Sequence, residues 1–121
     1  MQKKILIVDD QKDVLKVLDK RLSGAGYLVI KAENGKDALL LAKAERPNLI
    51  VLDVIMPEMD GAETAAILKK DPETKDIPVI FLTCLFTEKD EKEGHLVGGK
   101  YFVAKPYNPN EMLEIVSKFL K

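Results

Sequence analysis

The chain has 121 residues, enough for one domain with a sizeable hydrophobic core; 46% of them are apolar and 32% are charged. This composition is typical of a folded globular protein and argues against a disordered chain. The 19 basic and 20 acidic residues nearly cancel, so charge gives no reason to expect nucleic acid or a membrane surface as the main partner.

The cysteine content and the hydropathy pattern indicate where the protein works. Cys84 is the only cysteine, which excludes an internal disulfide and favours a reducing compartment. The apolar run at residues 5–8 is too short for a signal peptide, and no stretch approaches the ~20 apolar residues that span a bilayer. We therefore expect a small cytoplasmic protein.

Short apolar runs alternate with segments of helical periodicity along the whole chain. In chain order, the pattern predicts a strand at 3–10, a helix at 11–26, a strand at 27–32, a helix at 34–47, a strand at 49–54, a helix at 62–70, a strand at 77–83, a helix at 87–99, a strand at 100–106 and a helix at 108–120. The helix at 87–99 has few apolar anchors and three glycines, so we expect it to be the least stable.

Regular alternation of this kind predicts an α/β fold with a parallel sheet between helices. Strands one, three and four read as continuous apolar runs, which is typical of central strands covered on both faces, whereas the mixed run at 27–32 suits an edge. We predict a flavodoxin-like three-layer sandwich, with a five-stranded parallel sheet in the order 2-1-3-4-5 and five helices on both faces. Residues 1–121 are expected to form a single domain, with no output domain in this chain.

Polar residues stand where four of the predicted strands end. They are Asp9 and Asp10 at the end of the first strand, Asp53 at the end of the third, Thr83 at the end of the fourth, and Lys105, before Pro106, at the end of the fifth. In parallel sheets these carboxyl ends share one edge, and ligands bind there. Three carboxylates brought together repel one another unless a cation joins them, and oxygen ligands suit Mg²⁺. Mg²⁺ and Lys105 would balance the three negative charges.

These residues, in this order and each at a strand end, resemble the response-regulator receiver domain of two-component signalling. The resemblance covers about residues 3–120 and includes the stretch DVIMPEMDG, which begins at Asp53, and the pair Lys105-Pro106. It implies that Asp53 accepts a phosphoryl group from a histidine of a sensor kinase. Asp9 and Asp10 then hold Mg²⁺ together with Asp53.

The same resemblance assigns four further roles. The backbone carbonyl of Ile55 is a metal ligand, the Thr83 hydroxyl binds a phosphoryl oxygen after transfer, and Lys105 pairs with the phosphoryl group. Phe102 occupies the position of the family's aromatic switch. A protein of this kind is a phosphoacceptor that promotes its own phosphorylation, not an enzyme acting on a separate substrate.

The resemblance also predicts partners. These are a sensor histidine kinase or His-phosphotransfer protein as donor, and a downstream protein that contacts the face formed by the fourth helix, fifth strand and fifth helix. Neither nucleic acid nor a membrane is expected to bind directly. Ile55 and Leu85 flank the expected phosphoryl group, and both are apolar, so they cannot activate a water molecule. This predicts slow self-dephosphorylation.

Other interpretations of the same residues stay open from sequence. Asp10 could simply cap the first helix, and Lys105 could be a solvated surface charge. A Mg²⁺-dependent phosphohydrolase of the haloacid-dehalogenase type is disfavoured, because DDQKD lacks the spacing DxDx[TV]. An FMN-binding flavodoxin is disfavoured because Asp9 and Asp10 would repel the phosphate. A degenerate receiver that only binds partners is the last alternative.

Overall fold

Between Lys4 and Thr83, strands and helices alternate as the sequence predicts. The structure, a computed structural model, describes residues 2–54, 56, 59–83, 95–97, 100–104 and 108–120. In this part of the chain the elements are β1 Lys4–Val8, α1 Lys12–Gly24, β2 Leu28–Ala32, α2 Gly35–Glu45, β3 Leu49–Asp53, α3 Gly61–Lys70, β4 Val79–Thr83, β5 His95–Val97, β6 Lys100–Ala104 and α4 Pro109–Phe119. No helix among these residues has both the length and the hydropathy needed to cross a bilayer.

The sheet order is β2-β1-β3-β4-β6-β5. Strands β2, β1, β3, β4 and β6 pair in parallel, and β6 corresponds to the predicted fifth strand. The predicted order 2-1-3-4-5 is therefore confirmed for these five strands. The mixed run at 27–32 supplies β2 at one edge, and every residue of β3, in the middle, is buried. Alternating faces of β3 can both be apolar because helices cover both sides of the sheet.

Each face of the sheet has its own hydrophobic core. On one face, α1 and α4 pack through Leu15, Leu18, Leu22, Met112 and Val116 against alternate residues of the strands. On the other face, α2 and α3 pack through Ala38, Ala42, Ala65 and Leu68. The small alanines of α2 and α3 let these helices lie close to the sheet and to one another. The three-layer arrangement that the sequence predicted is thus confirmed.

The predicted count of strands and the predicted end of the fourth helix are wrong. Residues 95–97, expected to be helical, form β5, which pairs antiparallel with β6 and makes a sixth strand. The register joins Val97 to Lys100, with Gly98-Gly99 between them in the sequence; such a pair disfavours helix and favours a tight hairpin connection. The described residues contain four helices, and positions 87–94 of the predicted fourth lie outside them.

An ion pair ties α1 to the edge strand. Asp19 of α1 accepts a hydrogen bond from Ser23 Oγ at 2.7 Å, and its other carboxylate oxygen lies 2.9 Å from Lys31 Nζ of β2. The hydrogen bond from Ser23, followed by the contact with Lys31, lowers the pKa of Asp19 below its ordinary value. These contacts keep the long Lys31 side chain against α1 at the edge of the sheet.

Candidate phosphoacceptor and metal site

Three carboxylates lie together where strands β1 and β3 end, at the carboxyl-terminal end of the parallel strands. Asp9 and Asp10 follow β1 directly, and Asp53 is the last residue of β3. The parallel register pairs Val8 with Leu52, so the next residues along the two strands are Asp9 and Asp53. Adjacent parallel strands thus place these two acids side by side, as the sequence predicted.

The three carboxylates form a compact cluster. One oxygen from each of Asp9, Asp10 and Asp53 lies within 4.8 Å of the oxygens of the other two. Asp9 is 1% exposed and Asp53 is 5% exposed, whereas Asp10 is exposed. Asp53, at the end of the most apolar strand, therefore lies beside an exposed residue, Asp10, where the strand ends.

The main chain around Asp9 is fixed on both sides. Its backbone N–H donates to the Ala32 carbonyl at 3.1 Å, which extends the pairing of β1 with β2 by one residue. Its carboxylate oxygen Oδ1 accepts a hydrogen bond from the backbone N–H of Gln11 at 2.9 Å, at the turn into α1. Asp9 therefore serves the local structure as well as the cluster, and its position is set before any ligand binds.

The cluster has the chemistry of a hard-cation site. All three donors are carboxylate oxygens, and their mutual distances allow one ion to contact each of them. Oxygen ligands of this type favour Mg²⁺, Ca²⁺ or Mn²⁺ over the metals that prefer thiolate or imidazole. An exposed third member leaves room for water and for a phosphate oxygen. The predicted Mg²⁺ ligands Asp9, Asp10 and Asp53 are thus brought together.

The other predicted site residues are only partly described. Thr83 is the last residue of β4, and its main chain pairs with Ala104, the residue before Lys105. Phe102 lies in β6, where its main chain pairs with that of Phe81. The backbone of Thr83 therefore lies at the same end of the parallel strands as Asp53. Lys105 and Ile55 lie outside the described residues, so their predicted roles stay predictions.

The sequence pattern missed the part played by the start of α3. Asp60-Gly61 reads as a turn, and Asp60 does cap the helix by accepting the backbone N–H of Glu63 at 2.8 Å. Gly61, in addition, lies directly against the end of β3, and its N–H donates to the Val54 carbonyl at 2.8 Å. A glycine between a strand and a helix was the signal, since close approach of two backbones favours glycine.

Comparisons with known proteins agree with this geometry. A model of the family described as response regulator receiver domain matches residues 5–117. The chain is 40% identical to a protein of Cyanophora paradoxa named "Probable transcriptional regulator ycf27", over 99% of this chain and 49% of that protein. It is 36% identical to Protein PilH of Pseudomonas aeruginosa over 97% of both chains. The chain therefore spans about half the length of ycf27 but nearly all of PilH.

The fold also matches solved receiver structures. The chemotaxis response regulator CheY4 of Vibrio cholerae superposes with a TM-score of 0.85 at 31% sequence identity, covering 98% of this chain and 99% of that one.

Proposed function

Because the chain belongs to the response regulator receiver domain family, we propose that it is a phosphoacceptor switch whose Asp53 takes a phosphoryl group from a phosphohistidine. The donor is a sensor histidine kinase or a His-phosphotransfer protein, and the reaction takes place in the cytoplasm. The observation that carries the proposal is the cluster of three carboxylates, within 4.8 Å of one another, at the ends of β1 and β3. A cluster of this kind supplies both a nucleophile and ligands for a divalent cation.

The proposed cofactor is Mg²⁺, held by Asp9, Asp10 and Asp53, with the backbone carbonyl of Ile55 as a further ligand. When bound, Mg²⁺ neutralises charge on the transferred phosphoryl group and offsets its repulsion by the carboxylates. Asp9 is suited to the role because its position is fixed by Ala32 and Gln11. Asp10, being exposed, faces the side from which cation and donor arrive.

The proposed transfer step is an in-line displacement at phosphorus. A carboxylate oxygen of Asp53 forms the new bond, and the bond from phosphorus to the donor's imidazole nitrogen breaks, with its electron pair left on that nitrogen. The product is an acyl phosphate on Asp53. Strand pairing on both sides of β3 holds Asp53 at the sheet edge, so attack needs little rearrangement of the main chain. Lys105 is proposed to pair with the phosphoryl oxygens.

The proposed response passes through Thr83 and Phe102. Phosphorylation adds roughly −1.5 to −2 charges and strong acceptor oxygens, which attract the Thr83 hydroxyl. The space that Thr83 leaves is then filled by Phe102, and the repacking alters the face that includes β6 and α4. Support comes from the topology, since β4 and β6 are neighbours and Phe102 pairs with Phe81, two residues before Thr83. We propose a protein as the target that binds this face.

The experiment that tests the proposal is incubation with acetyl phosphate and Mg²⁺, followed by intact-mass measurement. We expect the wild-type chain to gain the mass of one phosphoryl group, and Asp53→Asn or wild type with excess EDTA to gain none. Modification of Asp53→Asn at the wild-type rate would contradict the assignment of the acceptor. A wild-type chain that stays unmodified would favour the degenerate, interaction-only receiver.

We also expect the phosphorylated state to be long-lived. The side chains proposed to flank the phosphoryl group, those of Ile55 and Leu85, carry no polar atom that could orient an attacking water molecule. Intact-mass spectra recorded at intervals after removal of acetyl phosphate, with Mg²⁺ present, should show the phosphorylated mass decaying over minutes or longer. Leu85→Glu is the comparison, because a carboxylate at this position can accept a proton from water and should shorten the lifetime. Decay of the wild type within seconds would contradict the prediction.

A further inference from the structure

The first residue of α3 lies in contact with the main chain at Asp53. A β-carbon at position 61 would overlap the Asp53 carbonyl oxygen, and would lie 2.8 Å from Val54 Cα and 2.9 Å from the Asp53 carbonyl carbon. Atoms at such distances repel strongly, so only glycine fits between the end of β3 and the start of α3. The hydrogen bond from the Gly61 N–H to the Val54 carbonyl, 2.8 Å long, depends on this close approach.

The start of α3 is also held on its far side, by α2. A β-carbon at Gly35, the first residue of α2, would overlap Thr64 Oγ1 and lie 3.1 Å from both Met59 Cγ and the Met59 carbonyl oxygen. Thr64 is fully buried, and its hydroxyl donates to the Asp60 carbonyl at 2.9 Å. The first turn of α3 is therefore packed between the end of β3 and the first turn of α2.

Strand β3 is held by backbone hydrogen bonds on both sides. It is paired with β1 on one side and β4 on the other, and the Val54 N–H still donates to the Leu82 carbonyl at 2.9 Å beyond the end of the strand. A side chain at position 61 must therefore displace the start of α3 or the main chain at Asp53 and Val54. Gly35 and Thr64 limit how far the helix can move away.

We propose that Gly61 is a positioning residue for Asp53, and that the contact of Gly35 with Thr64 holds α3 in the position that Gly61 allows. The inference rests on the proposed phosphoacceptor function. According to this proposal, the contact between α2 and α3 sets the geometry of the main chain at Asp53 and Val54. Cation binding and phosphoryl transfer both depend on that geometry, since a misplacement of about 1 Å can slow a reaction by roughly 100-fold.

The test compares Gly61→Ala with Gly24→Ala. Gly24, at the end of α1, has nothing within 4 Å of the place a β-carbon would occupy, so it is a matched control for the substitution. The measurements are the dissociation constant for Mn²⁺ alone, the maximal rate of phosphorylation by acetyl phosphate, and the midpoint of thermal unfolding. We expect Gly61→Ala to weaken Mn²⁺ binding and to slow phosphorylation, each by about tenfold or more, at temperatures far below its midpoint. Gly24→Ala should change neither.

A second pair of variants tests the contact with α2. Gly35→Ala should also slow phosphorylation, and adding Thr64→Ala should restore most of the rate, because it removes the Oγ1 atom that the new methyl group meets. A purely structural role would lower the midpoint in all these variants and leave rate and Mn²⁺ affinity unchanged at low temperature.

The outcomes separate the inference from the function it rests on. If the wild-type chain is not phosphorylated at Asp53, the proposed function fails. If it is phosphorylated and Gly61→Ala behaves like Gly24→Ala, the positioning role fails. Should Gly61→Ala not fold, the Gly35 and Thr64 variants decide: a normal rate in Gly35→Ala, or no recovery in the double variant, would overturn the proposal.

Discussion

Replacing Asp10 with Asn is expected to remove most of the stabilisation that Mg²⁺ gives to the folded chain. A ligand that binds only the folded state raises the free energy of unfolding by about 2.7 kcal/mol at 100 times its dissociation constant. If loss of one carboxylate weakens binding about 100-fold, the same Mg²⁺ concentration contributes only about 0.4 kcal/mol. Asp10 is the suitable position because it is exposed, so the amide disturbs little packing.

The sign of the effect should reverse when Mg²⁺ is removed. Without a cation, the three carboxylates repel one another, and the neutral amide of Asn relieves part of that repulsion. Asp10→Asn is therefore expected to be at least as stable as wild type in EDTA and less stable in excess Mg²⁺. A change that acted only through helix capping would lower the stability by the same amount in both conditions.

Urea denaturation in EDTA and in excess Mg²⁺ measures both effects. Asp76→Asn is the control, since Asp76 is exposed in the loop before β4 and takes no part in the cluster. Its response to Mg²⁺ should match that of wild type. An equal gain from Mg²⁺ in wild type and in Asp10→Asn would show that Asp10 is not a ligand of the cation.

Replacing Leu52 with Ala is expected to cost about 2–5 kcal/mol of the free energy of unfolding. Leu52 is fully buried in the core between the sheet and the helices α2 and α3, and it precedes Asp53 on the central strand. Its removal leaves a cavity that strands paired on both sides cannot close. The same substitution at Leu40, whose side chain is 63% exposed on α2, should change the free energy of unfolding by no more than about 0.5 kcal/mol.

Urea denaturation again provides the measurement, with the slope of the unfolding transition as a check that the two variants unfold in the same way. A loss below about 1 kcal/mol for Leu52→Ala would mean that the core on that face can collapse into the cavity. This would contradict the view that β3 is a rigid support for Asp53.

The sheet could be predicted from sequence because its strands carry distinct patterns. The runs in β1, β3 and β4 are apolar without interruption, which indicates central strands, and the mixed run in β2 indicates an edge. The order among the central strands follows from the flavodoxin-like fold that the length and the alternation favour. Once the strand order is known, the carboxyl ends of β1 and β3 must be neighbours. The cluster of three aspartates follows from the topology, and the structure confirms it.

Strand β5 was missed although its signal was present. The two residues between His95–Val97 and Lys100–Ala104 are Gly98-Gly99, a pair typical of two-residue hairpins. The acidic stretch before them resembles the first turns of a helix, so the sequence pattern predicts a helix that runs on through the glycines. The glycine pair is the stronger signal here, since helical periodicity is weak in this stretch.

A glycine after a strand signals a close approach of two backbones, but the sequence does not show which atoms approach Gly61. The Asp60-Gly61 pair predicts a turn before the third helix; in the structure Asp60 caps α3 and Gly61 is its first residue. The distance between the start of α3 and the end of β3 depends on how closely the alanine-rich faces of α2 and α3 pack against the sheet. Packing distances of this kind arise from the whole three-dimensional arrangement, and no spacing along the chain encodes them.

Because β5 pairs with β6, the two edge strands of the sheet, β2 and β5, differ in length. At one edge, the backbone of the five-residue strand β2, which includes the cationic Lys31, could pair with a strand of another molecule. At the other edge, β5 covers β6, and only three residues of strand are left for such pairing. Short edge strands and lysines both discourage the uncontrolled joining of sheets from separate molecules. The pairing of β5 with β6 therefore leaves the described sheet with one short edge and one edge that carries a lysine, an arrangement that disfavours edge-to-edge association.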